Sequence, residues 1–82
     1  MPHLIPVEYG VAYRNALGRD LLGDPWVLPG LQTTKDALRA AADLKLIRCL
    51  DITIFKMPKG SGGDADPPRI SWDYVTANAV GL

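Results

Sequence analysis

Cysteine, histidine and net charge are what this sequence has least of. One cysteine, Cys49, and one histidine, His3, occur among its 82 residues. A lone cysteine excludes an intrachain disulfide, so stability must come from packing or self-association, and it fits a reducing compartment. No Asn or Asp stands at a recognisable spacing to orient a His3–Cys49 pair, so nucleophilic catalysis has no constellation to work with. Nine basic and nine acidic side chains cancel. A duplex-DNA binder usually carries a basic surplus, because neutralising phosphates drives its affinity. A DNA mimic would be strongly acidic. Long apolar runs are missing too, and nothing approaches the roughly 20 residues that a bilayer-spanning helix needs. The opening MPHLIPVEYG has no basic stretch followed by an apolar one, so no signal peptide is expected. The expectation is a soluble protein of the cytoplasm, with no membrane association.

What remains is ordinary globular material. Hydrophobic residues make up 48% and charged residues 22% of the chain, enough Val, Ile and Leu to build a core. The length predicts a single domain, 1–82. Such a small domain buries only about 60% of its unfolded surface, so its stability should be modest.

Residues 6–14 read as a strand, with Val7, Tyr9, Val11 and Tyr13 alternating with Glu8, Gly10, Ala12 and Arg14. Asn15 and Gly18 suit a bend, and 19–22 could form a second strand. Trp26-Val27-Leu28 reads as a brief extended piece, which the flanking Pro25 and Pro29 argue against placing in a central strand. Thr33-Thr34-Lys35-Asp36 is a helix start, with a hydroxyl to cap the first turn and a carboxylate near the positive end of the dipole. Ala37, Leu38, Ala41 and Leu44 then form a stripe at helical spacing. The clearest strand is 48–57, with Leu50, Ile52 and Ile54 on one face and Cys49, Asp51, Thr53 and Phe55 on the other. A last strand is expected over 69–75, with Ile70, Trp72 and Tyr74 on one face. The tail, 77–82, should fray unless it docks.

These elements predict an α+β fold, ββαββ or βαββ. A small antiparallel sheet of three to four strands would carry one helix on the face of Leu50, Ile52 and Ile54. The opposite face would stay open to solvent or to a partner.

The stretch KMPKGSGGDADPPR, residues 56–69, invites a ligand-loop reading. Gly60, Gly62 and Gly63 could offer N–H groups to an anion beside Lys56 and Lys59. A phosphate loop, however, requires Lys-Ser/Thr after its glycines and a helix behind them. Asp64 and Asp66 could meet a cation, but a calcium loop needs further oxygen ligands and a closing Glu. The loop over 58–68 therefore reads as a flexible hairpin connection that pairs the last two strands. Glu8, Asp51 and Asp73 would share the open face if the strands pair in this way, which is a weak pointer to a metal or to acid–base work. No catalytic, cofactor-binding or metal-ligating residue is expected, and no enzyme.

The aromatic residues point elsewhere. Phe55 is predicted on the open face beside Thr53, where it could anchor an interface. With Trp26 and Arg14 these form the expected contact surface, for a protein partner or for a homodimer. The alternative is a nucleic-acid-binding accessory protein, using Arg14, Arg19, Lys56, Lys59 and Arg69 as a local basic edge.

VEYGVAYRNALGRDLL followed by TTKDALRAAADL gives about half the chain a recognisable cadence. It resembles small orphan accessory proteins encoded by bacteriophages of high-GC actinobacterial hosts, in which a hairpin precedes an Ala-rich helix and further strands. The resemblance implies a phage protein that works by binding a host or defence factor, in the cytoplasm of that host. It carries no site motif, so it assigns no functional residue.

Overall fold

A computed structural model describes residues 6–15, 23–60 and 69–81. Strand β1 (Val7–Arg14) is followed by β2 (Trp26–Leu31), helix α1 (Thr34–Leu46), strand β3 (Leu50–Pro58) and a short helix α2 (Trp72–Ala77). The three strands form one antiparallel sheet in the order β2-β1-β3. The expected α+β class and the helix packed on an antiparallel sheet are therefore present. Among the described residues no helix is long and apolar enough to cross a membrane. The possible strand over 19–22 lies outside the described residues.

The helix start is as its sequence dictates. Thr33 is the N-cap in extended conformation, and its hydroxyl accepts the Asp36 N–H at 3.1 Å. The far end closes in a Schellman motif: the Cys49 N–H reaches the Leu44 carbonyl and the Arg48 N–H the Lys45 carbonyl, both at 3.0 Å. Arg48 occupies the left-handed position at φ 63°, where glycine is usual. Ala37 and Leu44 are buried against Val11, with Tyr9, Tyr13, Leu28 and Ile54 around them. Leu38, expected in the same stripe, is instead 49% exposed. It sits one residue past Ala37, about 100° round the helix.

Two expectations about the other face are overturned together. Residues 72–77 are helix, not strand. Ser71 caps them by accepting the Tyr74 N–H at 3.2 Å, Asp73 sits in the first turn, and Asn78 ends them. The alternation of Ile70, Trp72 and Tyr74 looked like a strand, but Trp72 and Val75 at helical spacing provide the inward contacts. The sheet face beneath is consequently closed, not open. Ala12, Val27, Phe55, Met57 and Val75 form a second buried cluster there, with Ile70 and Trp72 against it.

The closing segment crosses this face from one sheet edge to the other. Arg69 bridges Trp26 on the β2 edge, and Ala79 bridges Phe55 on the β3 edge. The Lys56 N–H reaches the Asn78 carbonyl at 3.1 Å, and the Val80 N–H reaches the Ile54 carbonyl at 2.8 Å. The loop over 58–68 thus does not join two paired strands, since the segment that follows it returns to β2. Most of that loop, 61–68, lies outside the described residues. The tail is tied down at Asn78 and Val80, and both exposed edges are partly covered, a usual protection of unpaired strand backbone.

Gly10 shows how tightly this face is packed. It stands opposite Phe55 across the β1–β3 pair. A Cβ there would lie 2.8 Å from two atoms of the Phe55 ring and 2.9 Å from Met57 Sδ. The ring occupies the space that a side chain would take.

Both outer strands carry a bulge. Between the pairs Tyr9↔Leu31 and Val11↔Leu28, β2 has an extra residue, and Gly30 there takes φ 80°. Proline and glycine at 29–30 thus mark a bulge inside an edge strand, not the end of a segment. Between Ala12↔Thr53 and Arg14↔Leu50, β3 has the extra residue, with Asp51 at φ 53°. Asp tolerates this left-handed conformation better than most residues.

Candidate binding groove

The expected surface residues do not form a common patch. Phe55 is fully buried and meets the Tyr74 ring edge-on at a centroid distance of 6.3 Å. Its predicted exposure depended on an open face, and α2 closes that face. Thr53 is half-buried, and its hydroxyl donates to the Asp51 carbonyl at 3.2 Å. Arg14 lies over the Trp72 ring, 5.3 Å from its centroid. It also pairs with Asp51 at 3.2 Å and donates to the Gly23 carbonyl at 2.7 Å. Trp26 is half-buried beneath Arg69, whose guanidinium is 4.2 Å from the ring centroid and donates twice to the Asp24 carbonyl. These two Arg–Trp stacks fasten the closing segment at the α2 side of the sheet, each contributing about 0.5–1 kcal/mol at such exposure.

That arrangement bears on the basic edge as well. Arg14 and Arg69 make aromatic and carbonyl contacts within the fold, and Arg19 lies outside the described residues. Lys56 and Lys59 are exposed.

The three carboxylates take separate roles. Glu8 is 3% exposed, and its carboxylate accepts the N–H of Gly30 on one side and of Gly60 on the other. It satisfies the bulge amide that β1 cannot pair and pins the turn after β3, where the Lys59 N–H also reaches the Pro6 carbonyl at 3.0 Å. Asp51 is engaged by Arg14, and Asp73 is exposed at the start of α2. No group of three His, Cys, Asp or Glu side chains able to hold a metal occurs among the described residues. Cys49 is half-buried against the α1-side core, and burial pushes its thiol pKa up, which disfavours the thiolate.

A concave feature of the described surface lies at the end of β3 beside α2. It is an open groove of about 300 Å³ lined by Val7, Lys56, Met57, Pro58, Tyr74 and Asn78. Each part has a structural origin. Val7 and Pro58 are cross-strand partners at the end of the sheet, and Val7 is 51% exposed. Tyr74 is held by its edge contact with Phe55 yet remains 37% exposed. Asn78 is fixed by its side-chain bond to the Tyr74 carbonyl at 2.9 Å and by the Lys56 backbone. The floor and walls are apolar, while Lys56 and Asn78 supply polar groups at the rim. Sequence reading missed the groove because its walls come from β1, β3 and α2, and the last of these read as a strand.

Comparison with protein-family models, curated proteins and solved structures gives no match for this chain. Its class therefore rests on geometry: a small α+β domain with two packed sheet faces and, among the described residues, a shallow apolar groove.

Proposed function

We propose that the protein is a protein-binding module that takes a short apolar segment of its partner into the groove beside β3. The groove carries this reading. It is concave, it is about 300 Å³, and it keeps Val7 and Tyr74 accessible in a domain whose sheet faces are otherwise covered. Apolar walls with a few placed polar groups are the usual make-up of a binding site. Room for one or two side chains suits a peptide segment better than a folded surface. The ammonium of Lys56 at the rim favours an acidic residue next to those side chains, and the Asn78 amide can bond a backbone group. On the phage-like reading of the sequence, the partner is a host or defence protein.

The test is affinity capture from an actinobacterial lysate with the wild type, Val7→Glu and Lys56→Glu as parallel baits. Both positions are exposed, so the fold should tolerate them. A protein retained by the wild type and lost by both variants supports the reading. Equal retention by all three removes the groove. Salt-sensitive capture of nucleic acid instead would favour the basic-edge alternative.

A further inference from the structure

Helix α1 carries a second apolar stripe that the sheet does not use. Ala37 and Leu44 face the core. Leu38, Ala42 and Leu46 follow one another at i, i+4 and i+8 and so share a face. Their mean direction lies roughly 150° round the helix from the buried stripe. All three are exposed, Leu46 at 80%. Propensity does not demand leucine at such positions, since Lys, Glu and Gln serve an exposed helix face as well.

We infer that this stripe is the seat of a second copy of the chain, with two α1 helices packed antiparallel about a two-fold axis at Ala42. The pattern is self-complementary, as a two-fold interface must be. Antiparallel pairing sets Leu38 of one copy against Leu46 of the other. It brings the small Ala42 residues together at the axis, where they allow close approach. Charge agrees with this direction. Arg39 and Asp43 lie on the same flank of the stripe, and the two-fold brings Arg39 of each copy within about 3 Å, along the axis, of the level of the other's Asp43. Lys45 is level with the other copy's Arg39 but on the opposite flank, and Lys35, in line with the stripe one turn before Leu38, falls at the carbonyl end of the other copy's helix. The helix dipoles run opposed, which also favours antiparallel over parallel pairing. The groove beside β3 lies on other elements, so the dimer leaves it open and presents two copies of it.

Single-cysteine variants in a Cys49→Ala background test the register. Under mild oxidation Ala42→Cys should crosslink to itself. Leu38→Cys alone and Leu46→Cys alone should not, because each copy of such a cysteine lies about 12 Å from its mate along the axis. An equimolar mixture of Leu38→Cys and Leu46→Cys should give the mixed disulfide. Sedimentation at about 0.5 mM, enough to populate a dimer with Kd near 0.1 mM, should show dimer for the wild type and for Val7→Glu, and monomer for Leu46→Glu. A monomeric wild type overturns the inference. So does a dimer unaffected by Leu46→Glu, or self-crosslinking of Leu38→Cys as efficient as that of Ala42→Cys.

Discussion

Replacing Gly10 with alanine should destabilise the protein, although alanine is normally the better residue within a strand. The backbone at Gly10 does not require glycine, since its φ lies outside the left-handed region. On propensity alone the change would stabilise by about 0.5–1 kcal/mol. The new methyl group, however, lies 2.8 Å from Phe55 ring atoms and 2.9 Å from Met57 Sδ. Neither side chain can retreat freely. Both are fully buried, and Phe55 is backed by Tyr74. Overpacking of this kind costs about 1–3 kcal/mol. The net expectation is a loss of about 1–2 kcal/mol, a large part of the 4–12 kcal/mol or so that a domain of this length holds. Urea denaturation followed by tryptophan fluorescence would show the midpoint fall with an unchanged slope. Phe55→Leu in the same background should relieve the collision, so the double variant should be more stable than the two single losses add up to. A Gly10→Ala protein as stable as the wild type, with additive behaviour in the cycle, would refute the packing of this face.

Other substitutions probe the remaining features. Arg48→Gly should stabilise by about 0.5–1 kcal/mol, because the left-handed C′ position suits glycine and the Schellman bonds are backbone only; a thermal melt reads this directly. Glu8→Ala should cost about 1–3 kcal/mol or more by leaving the Gly30 and Gly60 amides without their acceptor, and hydrogen exchange at those amides should accelerate ahead of the rest of the sheet. Cys49 should react slowly with iodoacetamide at neutral pH, its rate rising only above the ordinary thiol range. Its raised folded-state pKa contributes stability that is present below the unfolded thiol pKa and lost as pH rises from there through the folded value. Cys49→Ala should flatten that alkaline slope.

The legible parts of the fold were those with local chemistry. The Thr33 cap, the alternation along 6–14 and the apolar run before Met57 each specify their element through neighbours in sequence. The second core was not legible, because its enabling residues are small. Gly10 and Ala12 read as the polar-side positions of a one-faced strand, yet they are the space into which Phe55 and α2 fit. Residues 70–75 satisfy both a period of two and a short capped helix. Only the face waiting to be covered, a tertiary fact, decides between them. The groove inherits that ambiguity, since one of its walls is Tyr74. Phe55 misled for a related reason: an aromatic opposite an aliphatic stripe reads as an exposed anchor, unless a later segment returns over it.

The central functional claim is tested most directly by titrating the captured partner, or its shortest binding segment, against purified wild type and variants in a calorimeter. The groove account predicts that Val7→Glu lowers affinity at least tenfold and that Lys56→Glu weakens binding of an acidic segment. It also predicts that Leu46→Glu on the α1 stripe leaves the affinity per chain unchanged. Affinity untouched by Val7→Glu and lost with Leu46→Glu would contradict it.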